Sequence, residues 1–144
     1  MTKSTGPEEF EDAELKHLEF IQGIIARLAQ NSFLLKGWSV TLVAGILALA
    51  SRNPSIYVVV IAILPALAFW GLDAFYLGQE RNLRDLYNDA RERKIMVLDI
   101  APEEYETGPV GWMKSLFARS VWPLHVAVVV TVVVVGWMVG RSAW

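Results

Sequence analysis

Three apolar runs, Phe33 to Ala50, Ile56 to Leu77 and Val121 to Gly140, set the terms on which this chain can fold. Each approaches the ~20 residues that a helix needs to cross a hydrocarbon core ~30 Å thick. The whole chain has 144 residues, so little remains outside these runs for a soluble domain of ordinary size. The expected fold is an all-α membrane protein with three transmembrane helices. The first two form a long antiparallel hairpin extended into the cytoplasm, and an interfacial helix precedes the third. The corresponding divisions are a cytoplasmic amphipathic helix over 1–32, a transmembrane hairpin over 33–77 (spans 33–50 and 56–77), a cytoplasmic helix, irregular linker and interfacial helix over 78–119, and the third span with an external tail over 120–144.

Composition narrows the chemistry. Apolar residues make up 54% of the chain and there are six tryptophans, a profile of integral membrane proteins rather than soluble domains. The absence of cysteine excludes disulfides, thiolate metal sites and cysteine nucleophiles. No basic stripe points to nucleic acid. The N-terminal segment is acidic, with Glu8, Glu9, Glu11, Asp12, Glu14 and Glu19, so it lacks the basic start of a cleaved signal peptide.

The basic residues predict the orientation. Lys16, Arg27 and Lys36 precede or open the first span, and Arg81, Arg84, Arg91, Arg93, Lys94, Lys114 and Arg119 lie between the second and third. Only Arg52 and Arg141 fall on the other side. The positive-inside rule then puts the N-terminus in the cytoplasm and the C-terminus outside. Trp38, Trp70, Tyr76 and Trp122 fall toward the inner boundary, and Tyr57, Trp137 and Trp144 toward the outer one, where amphipathic rings prefer to sit.

Helical periodicity carries the first two spans beyond the bilayer. Thr5 and Glu8 have capping-box spacing, and Leu18, Ile21, Ile25 and Leu28 recur every three to four residues. Glu14 to Ala50 is thus expected as one helix, with hinges at Gly23 or at Asn31-Ser32. After a turn at Ser51-Arg52-Asn53-Pro54, the second helix is expected to continue past Leu77, where Leu83, Leu86, Tyr87 and Ala90 form one apolar stripe. Ile95 to Leu98 is a short apolar run expected to dock on the helical pair, and Pro102 to Tyr105 suggests a single turn. Trp112, Met113, Leu116 and Phe117 share one face, while Lys114, Ser115 and Arg119 share another, the pattern of a helix lying in the headgroup region.

Polar residues within the spans are the candidate sites. Lys36 and Asp73 lie at similar distances from the turn near Asn53, on antiparallel helices, and so are expected at similar depths. One reading is an intramembrane ion pair that fixes the hairpin register. A second is a polar vestibule or pore formed by Asn31, Ser32, Lys36, Ser39, Thr41 and Asp73, and a third is snorkelling of Lys36 to headgroups. Small residues suggest close helix packing: Gly37 and Gly45 with Thr41, Ala44 and Ala48 on the first span, Ala62 and Ala66 on the second, Gly136 and Gly140 on the third. Packing within one subunit and contact between subunits are both open. Pro65 is expected to kink the second helix and free a carbonyl that Thr41 or Ser39 would satisfy.

Catalysis has little support. His17 and His125 are the only histidines, and their places in the topology are far apart. Glu14-x-x-His17 is half of a di-metal bundle motif whose other half is missing, so neither a metal nor another cofactor is expected. The sequence contains no G-x-S-x-G, P-loop or HExxH, and no enzyme is expected.

The segments Leu18 to Leu28 and Asn31-Ser32-Phe33-Leu34-Leu35-Lys36-Gly37-Trp38 through Leu42, Phe69 to Leu77 with Gln79-Glu80-Arg81, and Trp112 to Phe117 together carry a likeness. The chain from about His17 onward resembles a widespread family of small bacterial inner-membrane proteins with an NSFxLKGW signature. The resemblance implies a bacterial inner-membrane protein without an enzymatic role, and it assigns no functional residues. Two functions are expected to compete. In the first, the protein is a homo-oligomer that forms or gates an ion-conducting path through the lipid bilayer. In the second, it is a non-conducting adaptor whose cytoplasmic helices dock a partner protein.

Overall fold

A computed structural model describes residues 7–52, 55–92 and 108–142 of the chain. They form four helices and, among the described residues, no strand: α1 (Pro7–Arg52), α2 (Ile56–Arg91), α3 (Gly108–Leu116) and α4 (Trp122–Ser142). The expected capping box at Thr5, the centre of the turn at Asn53-Pro54, the run Ile95 to Leu98, the turn at Pro102 to Tyr105 and Trp144 lie outside these residues.

The long helices follow from what is absent as much as from what recurs. No proline interrupts α1 after its first residue, and its 46 residues make a rod of about 69 Å at 1.5 Å per residue. That is more than twice the ~30 Å of a hydrocarbon core. Neither expected hinge breaks it: α1 passes through Gly23 and through Asn31-Ser32 without interruption. The boundary expected between residues 32 and 33 therefore falls inside one continuous helix. The same holds for α2, which runs across the boundary expected at 77 and through Pro65.

α1 and α2 pack along their length as an antiparallel hairpin, with α4 laid mainly on α2 and α3 bracing chiefly α2. Near the turn, the core of the bundle is a block of small and β-branched side chains: Val43, Ala50, Val59, Ala62, Ala66 and Val132. Alanine at the contact lets backbones approach, and close packing then holds the helices where lipid offers no hydrophobic driving force. Gly136 is the tightest point of this kind, since a Cβ there would lie 2.9 Å from Val59 Cγ1. The outward faces carry Phe33, Leu49, Leu64, Val133 and Trp137, all exposed. Three helices are long and apolar enough to cross a membrane: Glu14–Ala50, Ile56–Arg91 and Trp122–Arg141. Lipid accounts for an apolar exterior of this extent; water does not.

At the opposite end the hairpin continues as a helical pair. Ile21 of α1 and Leu86 of α2 are both buried, and Gln22 Nε2 donates to the Tyr87 hydroxyl at 2.8 Å. Arg84 and Glu80 form an i, i+4 pair along α2.

The joint between α3 and α4 is firmly built. Ala118 N–H donates to the Ser115 carbonyl, and the Val121 and Trp122 amides both return to the Ala118 carbonyl. Pro123 sits in the first turn of α4, where its missing N–H costs no intrahelical bond. This joint fixes where α4 begins, and so places His125 one turn inside it.

Candidate functional site: a charged cluster shared by three helices

The face of α1 that turns inward is set by its 3.6-residue period: Ser32, Lys36, Ser39 and Val43 follow one another at spacings of four, three and four. Ser32, Ser39 and Val43 are buried and Lys36 is partly so. On α2 the matching position is Asp73, whose side chain is wholly shielded.

Asp73 is the centre of the site. Lys36 Nζ lies 2.7 Å from each carboxylate oxygen, so the ammonium straddles the carboxylate. Ser32 donates its hydroxyl to Asp73 Oδ1 and accepts from Lys36 Nζ at 2.8 Å. His125 of α4 places Nε2 3.0 Å from Asp73 Oδ2, and neither side chain has any exposed surface. A carboxylate with no proton to give can only accept, so Nε2 is a protonated ring nitrogen. One buried carboxylate on α2 thus receives bonds from both other long helices, α1 and α4. Charge-assisted bonds of this sort are the strong ones, and they offset the high cost of holding an ion away from water. Lys36 alone keeps appreciable access to the outside, with 20% of its side chain exposed.

Aromatic residues hold the histidine and lock α3 in place. The Trp70 ring is stacked with His125 at 7° between planes and 6.1 Å between centroids. Its Nε1 donates to the Leu116 carbonyl at 3.0 Å, while Trp112 Nε1 donates to the Gly71 carbonyl at 3.0 Å. Two indoles therefore cross-brace α2 and α3 in opposite directions. Ser115, expected on the polar outer face with Lys114 and Arg119, is instead buried against α2. A Cβ on Gly78 would meet its Oγ at 3.7 Å, and Arg81 Nη1 lies 3.5 Å from it.

The cluster does not have the connectivity of a base-activated nucleophile. Ser32 and His125 each bond to the carboxylate rather than to one another, so the imidazole is not placed to take the serine proton. Among the described residues, no group of three or more acidic, histidine or cysteine side chains is placed to hold a metal ion.

The six residues expected to form one polar patch divide between two environments. Ser32, Lys36, Ser39 and Asp73 turn into the bundle, whereas Asn31 and Thr41 are exposed on the outer side of α1. Ser39 is buried and its hydroxyl has no hydrogen-bond partner, and Thr41 faces outward, so neither supplies the bond expected near Pro65. The small residues divide too. Ala62, Ala66 and Gly136 lie in contacts between helices of this chain. A Cβ on Gly37, Gly45 or Gly140 would meet nothing within 4 Å, so these three make no close packing within one copy.

His125 is the member of the cluster that sequence reasoning set aside. Its signal was available: an ionisable side chain inside an apolar helix, one turn after Pro123, needs a partner. His17 does not join it and remains in the helical extension. Compared with known protein families, curated proteins and solved structures, the chain matches none.

Proposed function

We propose that this chain is a bacterial inner-membrane protein, N-terminus in the cytoplasm, that assembles with copies of itself to form or gate an ion-conducting path. One observation carries the reading: Lys36, Asp73, Ser32 and His125 form a charged, hydrogen-bonded cluster inside segments apolar enough to span a bilayer. Ionisable groups at such depth are costly, and where they occur they commonly belong to ion or proton pathways.

Three helices of one copy enclose the cluster but leave no pore beside it. Beyond Ser39, the Val43, Ala66 and Val132 block is apolar and buried. The path therefore runs between copies, along the outer face of α1 that carries Asn31, Gly37, Thr41 and Gly45. Its small side chains permit close approach of neighbouring helices, and its two polar ones give a permeating ion something to touch. The cluster lies one helix face behind this wall and sets the angle of α1 against α2 and α4. Breaking the Lys36–Asp73 contact frees α1 to turn, which makes the cluster the gate rather than the lining.

The test is ion flux through liposomes holding the purified protein, with Lys36→Ala and Thr41→Leu alongside. Flux altered by both substitutions supports the path. Flux that is absent, or indifferent to both, favours a non-conducting adaptor. That second reading has its own support in the helical pair beyond the membrane, where Gln22, Ile25, Ala29, Arg84 and Tyr87 line an open groove suited to a partner protein.

A further inference from the structure

A second groove lies where α3 crosses α2, several residues along α2 from Asp73 toward the helical extension. It encloses about 410 Å³ and is walled by Phe75, Gly78, Gln79, Asn82, Pro109 and Trp112. Three independent features meet there. The walls are largely apolar, and Phe75 and Trp112 stay exposed beside Val110 and Met113 of α3. Asn82 is 8% exposed, and its Oδ1 is a buried acceptor with no donor. Arg81 stands beside it: among the described residues it makes one hydrogen bond, the long 3.5 Å contact with Ser115, which borders Gly78 on the groove floor.

We propose that this groove binds one anionic phospholipid whose headgroup carries a hydroxyl, of the phosphatidylglycerol kind. The acyl chain lies along Phe75 and Trp112, the phosphate meets Arg81, and a headgroup hydroxyl donates to Asn82 Oδ1. Each part of the groove asks for one part of that molecule. A buried acceptor without a donor is costly to leave and is satisfied by an O–H. A guanidinium with most of its N–H groups free is suited to phosphate oxygens. An apolar cleft beside an amphipathic helix at headgroup level suits a chain that begins at that same level. A zwitterionic choline lipid brings no net negative charge and no donor. The inference concerns the α2–α3 groove alone and stands whether or not the protein conducts ions.

Native mass spectrometry of the full chain, released from nanodiscs of equal phosphatidylglycerol, phosphatidic acid and phosphatidylcholine content, tests it. Phosphatidylglycerol is expected to be retained above phosphatidic acid, and both above phosphatidylcholine. Arg81→Ala should lower anionic-lipid retention about fivefold, since each cation near a membrane surface contributes about 1 kcal/mol. Asn82→Leu should remove the preference for phosphatidylglycerol over phosphatidic acid while leaving phosphatidic acid bound. Excess glycerol phosphate, a headgroup without chains, should displace nothing. Circular dichroism establishes that each variant keeps its helix content, and a variant that loses it is replaced by Arg81→Gln or Asn82→Ser. Equal retention of all three lipids, unchanged retention in the Arg81 variant, or displacement by glycerol phosphate overturns the proposal.

Discussion

His125 Nε2 lies 3.0 Å from Asp73 Oδ2, and both side chains are wholly shielded from the surroundings. This contact joins α4 to the hairpin at the same carboxylate that joins α1 to α2. Replacing His125 by phenylalanine keeps a ring against Trp70 but leaves one Asp73 oxygen without that donor. Lys36 still contacts that oxygen, so the expected loss is that of one hydrogen bond to a charged group, about 1.5–3 kcal/mol of stability. His125→Gln restores an N–H donor and should recover part of it. Unfolding in detergent, followed by circular dichroism, is the measurement, and equal stability of both variants and the parent would refute the contact.

Removing one member of the central pair is expected to cost more. Asp73→Ala leaves Lys36 charged and unpaired, with an expected loss of about 3–5 kcal/mol. Replacing both residues by apolar ones, Lys36→Met with Asp73→Leu, should return much of that stability, because no buried charge then lacks a partner. Reversing both charges restores less, since a lysine at 73 faces His125 and Ser32, neither of which supplies a carboxylate. Stability ranked in any other order counts against this account.

Gly136 permits the close approach of α4 to α2. Gly136→Ala places a Cβ 2.9 Å from Val59 Cγ1, a rigid branch that cannot swing clear. Overpacking of this kind costs about 1–3 kcal/mol, and Val59→Ala in the same chain should relieve it. A double-mutant cycle with no coupling between these positions would show that the helices are not in contact there.

Gly37 and Gly45 serve as the opposite case. Neither has a neighbour within 4 Å, so alanine at either should leave the single chain as stable or more stable, by up to about 1 kcal/mol per site. Leucine at both should weaken association between copies without unfolding them. Chemical cross-linking in membranes reads this out, and undiminished cross-linked species would remove the outer face of α1 from the assembly.

Much of this architecture was legible because lipid imposes a simple requirement on sequence. Apolar runs of spanning length fixed three helices, and the lack of breakers carried two of them past the bilayer. Lys36 and Asp73 stood out because charge in such a run demands company. What sequence could not supply was the place at which α4 returns, since that depends on the connection between α2 and α4 rather than on periodicity. His125 was therefore weighed only against the distant His17, when it adjoins Asp73. Asn31 and Thr41 were grouped with Ser32, Lys36 and Ser39 by nearness along the chain. Rotation of 100° per residue separates them: 32, 36, 39 and 43 make one face, and 31 and 41 lie outside it. Ser115 shows the same limit, because hydroxyl and glycine can pair across a helix contact as readily as face water.

The reciprocal indole bonds, Trp70 to Leu116 and Trp112 to Gly71, give α3 a single seating on α2. A slip by one turn would leave both N–H donors without these partners. α3 is consequently a fixed bracket, and the short corner at Ala118 hands its seating on to the start of α4, one turn before the histidine.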